Sequence, residues 1–213
     1  LRVVIETLQD GAYDDPEMAV HFLDRAAAEI DILTQMVEEI LELSRIESGQ
    51  VPLRLQATAV ADLLLKPLDR LKPQAERAQI DLILDLPAAL PKVLADPERI
   101  HQIVTNLLHN AIKFTPDGGK ITLQAYQDED ENAVVMSVHD TGIGIPKEDL
   151  SRIFERFYKS DRARTRSRGG TGLGLAISRH IVQVHNGRIW VKSKEHKGSS
   201  FYFTLPTATP DDR

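Results

Sequence analysis

The chain has 213 residues, 42% of them hydrophobic and 27% charged, the balance of an ordinary globular protein with room for one full domain plus a smaller element. Its net charge of −6 argues against nucleic acid as the main partner, and the lack of cysteine rules out disulfides and thiolate metal sites, in agreement with a reducing compartment. No apolar run approaches the roughly 18 residues of a bilayer span, and no signal-peptide pattern opens the chain.

Leu1, Ile5, Leu8 and Ala12 are spaced 4-3-4 and predict an amphipathic helix. That helix has no start signal, so the chain is expected to be a piece of something longer. Gly11 and Tyr13–Pro16 interrupt the pattern, and Asp15-Pro16 is a helix-start signal. From there Ala19, Leu23, Ala26, Ile30, Leu33, Val37, Ile40 and Ser44 keep an unbroken 4-3 alternation, a seam suited to a left-handed bundle. Phe22, Ala27, Met36 and Leu41 widen the stripe toward four-helix proportions. The alternative is a single helix lying along a globular domain.

Ser48-Gly49-Gln50 ends this helix. A short strand is then expected at Leu53–Leu55, a helix at Val60–Arg77 despite Pro67 and Pro73, and strands at Ile80–Leu86 and Lys92–Ala95. Asp96-Pro97-Glu98 reads as an N-cap with proline in the first helical position, launching a helix through Phe114. Strands follow at Lys120–Gln127 and Ala133–His139, then a helix at Gly172–Val184 and strands at Gly187–Ser193 and Ser199–Leu205. Helices mixed with largely antiparallel strands predict an α+β fold, a two-layer sandwich of one helical layer on one sheet.

Chemistry concentrates in three segments. Asn106, Asn110 and Lys113 share one face of the Asp96 helix; a side-chain amide can complete a Mg²⁺ shell beside phosphate oxygens, and lysine offers phosphate a point charge. Asp140 precedes Gly142 and Gly144, where a buried carboxylate can accept a hydrogen bond from an adenine amino group. Gly170, Gly172 and Gly174 open a helix whose N-terminal N–H groups suit an anion. Together they describe an adenine-nucleotide pocket. Asp-Thr-Gly also occurs in aspartic proteases, but that reading needs a second such triad and the chain has no repeat. The second glycine cluster lacks Rossmann spacing and a preceding strand.

The order of Asn106–Pro116, Asp140–Ile145, Phe154–Lys159 and Gly170–Leu175 closely resembles the N, G1, F and G2 boxes of sensor histidine kinases. These belong to the wider ATPase group of gyrase, MutL and the ninety-kilodalton heat-shock chaperone. The resemblance covers about residues 50 to 206, and Leu41–Gly49 looks like the usual end of the family's dimerisation helices. It implies three segments: truncated dimerisation and phosphotransfer helices over 1–50, a catalytic ATP-binding domain over 51–206, and a tail over 207–213. It further implies that Asn110 meets Mg²⁺ and the triphosphate, with Asn106 and Lys113 beside it. Phe114 would approach the nucleotide, Asp140 would read adenine, and Gly142, Gly144 and Ile145 would shape the base pocket. Gly170, Gly172 and Gly174, with Thr171 and Leu173 between them, would anchor a lid that starts at Lys159 and whose near end Phe154 and Phe157 would pin.

The lid sequence agrees independently: Lys159, Arg162, Arg164, Arg166 and Arg168 face only Asp161, with no apolar residue larger than alanine. Such a segment suits a mobile, phosphate-attracted flap. A basic loop for nucleic acid is the alternative, disfavoured because no aromatic interrupts the run. In gyrase-like hydrolases a glutamate stands four residues before the metal-binding asparagine; Asn106 occupies that position here and is a poor general base.

None of the seven histidines lies in the family's His-Glu-x-x-x-Pro context, so the phosphoacceptor is expected before Leu1 and the chain is not expected to phosphorylate itself. The resemblance therefore implies a homodimer through helices 1–50, ATP and Mg²⁺ as ligands, and a response-regulator receiver domain as partner. It implies a cytoplasmic place for this segment, any sensor or membrane anchor lying before Leu1. A hydrolysing conformational clamp, a nucleotide-gated dimerisation module without kinase activity, and the serine/threonine anti-sigma-factor kinases remain as alternatives.

Overall fold

The structure is a computed structural model and describes residues 2–9, 15–47, 52–159 and 170–209. Two helices come first, α1 (Arg2–Gln9) and α2 (Pro16–Glu47). The carboxylate of Asp15 accepts the N–H groups of Glu17 and Met18 at 3.0 and 3.2 Å, which is the start signal acting as a cap. The 32 residues of α2 span about 48 Å at 1.5 Å per residue. Along its seam Leu23, Ile30, Leu33, Val37 and Ile40 remain 42–57% exposed, so none of them is buried by the described residues. Met36 departs from expectation: instead of widening the stripe beside the seam, it packs with the buried Leu43 against the core of the following domain.

The second part contains β1 (Gln56–Thr58), α3 (Val60–Arg77), β2 (Asp81–Asp85), β3 (Val93–Ala95), α4 (Pro97–Phe114), β4 (Lys120–Asp128), β5 (Ala133–Asp140), α5 (Gly174–Val184), β6 (Ile189–Lys194) and β7 (Gly198–Pro206). Five strands form one sheet in the order β2-β4-β5-β7-β6, and β1 pairs with β3 in a separate two-stranded ribbon. Helices α3, α4 and α5 form the layer against the sheet. Their buried residues, among them Leu63, Ile103, Leu107 and Ile181, meet Ile121, Leu123, Met136 and Phe203 from the strands. The α+β two-layer sandwich is the observed architecture.

Three local expectations change. The first strand lies at Gln56–Thr58 rather than Leu53–Leu55, because the N–H of Arg54 is taken by the Asp96 carboxylate at 3.0 Å and pairing starts at Gln56 opposite Ala95. Strand β2 runs parallel to β4, since the connection between them carries α4 as a crossover. Helix α3 spans Val60–Arg77 as expected and continues through both prolines; Leu63, Leu64, Leu68 and Leu71 bury against its neighbours, which offsets about 3 kcal/mol for each interior proline. Helix α5 begins at Gly174, because Gly172 sits at φ 78° and cannot join a right-handed helix. At the C-terminus Thr207 and Ala208, assigned to the tail, donate backbone N–H groups to Asn132 and Lys92.

Asp96 organises the junction. Its Oδ1 accepts the N–H groups of Glu98 and Arg99, while its own N–H donates to Nε2 of the buried His185 at 3.0 Å. Nδ1 of His185 lies 2.7 Å from the Ile181 carbonyl, so the ring is neutral with its proton on Nδ1. Burial pushes this imidazole below its ordinary value, with the Ile181 bond and Asp96 opposing and Arg99 adding to the depression. A depressed histidine contributes stability that is present above about pH 6.5 and fades as the pH falls toward the folded value. Thermal denaturation should therefore show an acid-side loss of stability below about pH 6.5 that His185→Gln removes. An unchanged pH profile in that variant would count against this assignment.

Candidate functional site

A cavity of about 590 Å³ lies between α4, the Asp140–Ile145 turn, the Phe154–Lys159 segment and the start of α5. Small-molecule pockets run from about 300 to 1,000 Å³. Strand register creates its most unusual group. Asp140 ends β5 opposite Ser199 of β7 and is 5% exposed. Its Oδ1 accepts the N–H of Gly142 at 2.8 Å and that of Ser199 at 3.2 Å, which fixes the carboxylate plane. Burial pushes this carboxyl above the usual carboxylate range; the two N–H groups and neighbouring His139 pull it partly back.

The turn after Asp140 is clamped onto the β6–β7 hairpin. Ile145 N–H donates to Ser193 Oγ at 2.8 Å, and His196 N–H donates to the Ile143 carbonyl at 2.7 Å. Gly144 has φ 71°, and a Cβ there would stand 2.2 Å from the Lys194 carbonyl oxygen, so only glycine allows this approach. Ile143, Ile145, Ile153 and Phe201 give the adjoining wall an apolar character, and Phe154 supports Phe201 edge-on at 6.4 Å.

A basic group stands nearby. The Lys113 ammonium lies 5.2 Å from the centroid of the Phe114 ring, and Lys159 shares the cavity wall. Burial first, then repulsion from Lys159, pushes Lys113 below the ordinary lysine value, so its charged form gains from an anionic ligand. Asn110 lines the same wall one turn before Lys113. Asn106 is tied across the helices: its Nδ2 donates to Ser178 Oγ at 3.0 Å, and Ser178 in turn donates to the Gly174 carbonyl at 2.9 Å. A Cβ on Gly174 would come within 2.3 Å of Asn106 Oδ1, so that glycine lets α5 meet α4 here.

Twelve of the residues singled out from sequence border this cavity: Asn106, Asn110, Lys113, Phe114, Asp140, Gly144, Ile145, Lys159, Gly170, Thr171, Gly172 and Gly174. Three do not. Gly142 stands behind the wall with its N–H on Asp140, and a Cβ there would lie 2.5 Å from the Phe114 carbonyl oxygen. Leu173 is wholly buried in the core, where it anchors the start of α5. Phe157 is 53% exposed, outside the cavity wall, with its backbone N–H on the Gly172 carbonyl at 3.0 Å. Residues 160–169, most of the expected lid, lie outside the described residues.

Several wall residues carried no signal that was used. Ser199 and Phe201 enter through the pairing of β7 with β5. Tyr158, inside the Phe154–Lys159 segment, donates its hydroxyl to Asp149 at 2.5 Å under the Arg152 guanidinium. Gln35 and Glu39 come from α2, outside the domain that forms the rest of the site.

Residues 95–209, from the end of β3 through β7 and including every element around the cavity except α2, match the family described as histidine kinase-, DNA gyrase B- and HSP90-like ATPases. The chain belongs to this ATPase family. The sensor histidine kinase WalK of Bacillus subtilis is 37% identical over 206 residues, covering 97% of this chain and 34% of that protein. Full-length ShkA, solved in complex with AMPPNP, superposes with a TM-score of 0.76 at 29% identity over 91% of this chain and 39% of its own. Histidine kinase ThkA, solved in complex with the response regulator protein TrrA, gives 0.77 at 27% identity over 99% of this chain and 58% of its own. The chain thus spans about a third of the WalK relative, and the likeness extends through α1 and α2 as well as the ATPase fold.

Proposed function

We propose that this chain is the dimerisation and nucleotide-binding part of a sensor histidine kinase. It would take ATP with Mg²⁺ and deliver the γ-phosphoryl to a histidine lying before Leu1, for onward transfer to a response-regulator aspartate. The observation that carries the reading is Asp140, its Oδ1 held by two backbone N–H groups in a cavity that also contains Lys113, Lys159 and Asn110. The likeness to WalK, and the nucleotide and regulator bound by ShkA and ThkA respectively, support it.

Each residue then has a task. Asp140 accepts the adenine amino group and the isoleucines pack on the base. Lys113 and Lys159 face the phosphates. Mg²⁺ characteristically takes one or two protein ligands beside phosphate oxygens and waters, so the single carboxamide of Asn110 fits as its protein donor. The ion supplies neutralisation of charge on the transferring phosphoryl. Asn106, tied to Ser178, offers no carboxylate to activate water, so the arrangement favours transfer to an imidazole nitrogen as the bond to ADP breaks.

In the longer protein carrying the segment before Leu1, ATP radiolabelled at the γ position should leave an acid-labile, base-stable phosphoryl group on the polypeptide. An added receiver domain should then remove it. Rapid phosphate release without protein labelling would replace this reading with the hydrolysing clamp.

A further inference from the structure

Helix α2 has a second working face. Gln35, Met36, Glu39, Glu42 and Leu43 follow one another at helical spacings and turn toward the ATPase domain, away from the seam. Leu43 is 5% exposed and Met36 packs on the core. Glu42 pairs with the Arg99 guanidinium and accepts from Gln102 Nε2 at 2.7 Å, fastening the helix to α4. One turn earlier, the Glu39 carboxylate accepts the hydroxyl of Thr171. Thr171 belongs to the second glycine cluster and is itself 5% exposed; its hydroxyl oxygen also accepts the Leu173 N–H at 3.2 Å, just before α5. Both Gln35 and Glu39 form part of the cavity wall.

A carboxylate from the dimerisation helix therefore borders the same space as Lys113, Lys159 and Asn110. With no anion in that space, its charge and its bond to Thr171 both favour docking. With a triphosphate there, like charges are brought together in a partly desolvated cavity. We propose that Glu39 is a latch read by the nucleotide: it holds α2 on the ATPase domain through Thr171, and the terminal phosphate of a bound nucleoside triphosphate displaces it and frees the helix. A diphosphate, lacking that group, leaves the latch closed. The inference rests on the nucleotide reading above and adds what the site does to the helix beside it. Linkage makes the effect reciprocal, so docking weakens triphosphate binding by the factor with which triphosphate weakens docking.

The chain has no native cysteine, so spin labels on Glu38→Cys and Arg179→Cys, both exposed, report the distance between α2 and α5 without interference. The expected result is one narrow distance without nucleotide and with Mg²⁺-ADP, and a longer, broader one with Mg²⁺-AMPPNP. Glu39→Ala should be broad in all three conditions and bind AMPPNP about tenfold more tightly, within the range typical of coupled sites, with ADP affinity nearly unchanged. Glu39→Gln keeps a hydrogen-bond acceptor without the charge; it should stay docked without nucleotide yet also bind AMPPNP more tightly. A label distance unmoved by AMPPNP that binds, or an AMPPNP affinity in Glu39→Ala equal to that of the wild type, overturns the latch alone. No calorimetric heat with either nucleotide in the wild type overturns the nucleotide reading and the latch with it.

Discussion

Asp140→Asn should lower affinity for adenine nucleotides by about a hundredfold or more while leaving the protein folded, and the geometry gives both halves of that result. The Gly142 and Ser199 N–H groups converge on Oδ1, so an asparagine placed there turns its carbonyl oxygen to them and its amide NH₂ toward the cavity. The bound adenine amino group then meets a donor instead of an acceptor. Losing a charge-assisted hydrogen bond costs about 1.5–3 kcal/mol and burying an unpaired donor about 1–3 more, so two orders of magnitude is a conservative sum. Stability moves the other way. Because burial raises this carboxyl, the ionised form costs the fold stability once the pH climbs through the folded value. The asparagine variant should be at least as stable as the wild type at neutral pH, with the margin shrinking on acidification. Calorimetry with AMPPNP and thermal denaturation read the two halves separately. Guanine carries a carbonyl where adenine carries its amino group, so the variant should also discriminate less against GTP. Unimpaired binding in well-folded variant protein would remove Asp140 from the base-reading role.

What the sequence disclosed and what it hid follow from the range of the forces involved. Helix α4 was legible because its start is local: Asp96 caps, Pro97 fills the first position, and the buried residues recur at the helical period. The pairing of β2 parallel to β4 was not, because a five-residue strand contains no mark of its partner's direction. Strand β1 was misplaced by three residues because its limit is set by Asp96, 42 residues beyond Arg54 in the chain. The same division runs through the site. Asp140, Gly144, Asn110 and Lys113 stand in recognisable order along the chain, and the fold brings them to one cavity. Membership of a motif does not tell which way a side chain faces, so Leu173 and Phe157 were grouped with residues whose surroundings they do not share. Ser199 becomes visible only through the register of β7 on β5. Gln35 and Glu39 look like any polar face of a heptad helix until α2 meets the ATPase domain.

The seam itself makes the other large prediction. Ile30→Glu combined with Val37→Glu should convert the proposed dimer into a monomer, raising the dissociation constant by at least about a thousandfold. Within one chain the seam positions Leu23, Ile30, Leu33, Val37 and Ile40 stand about half exposed, a contiguous apolar stripe of the kind that soluble monomers rarely leave uncovered. The 3.5-residue period brings them into line with a second helix pair, and burying each such side chain contributes about 1.5–3 kcal/mol. In a two-fold assembly every substitution is present twice, and each glutamate would enter the interface without a partner, which costs more than the lost burial alone. The substitutions leave Met36, Glu39, Glu42 and Leu43 on their separate face, so helix content and the docking of α2 on its own domain should persist. Sedimentation velocity measures the association and calorimetry with AMPPNP the site. Persistent dimers in the double variant would place the interface elsewhere. A monomer that keeps wild-type nucleotide affinity would show that the cavity is complete within one chain, and that dimerisation serves delivery of the phosphoryl group rather than capture of the nucleotide.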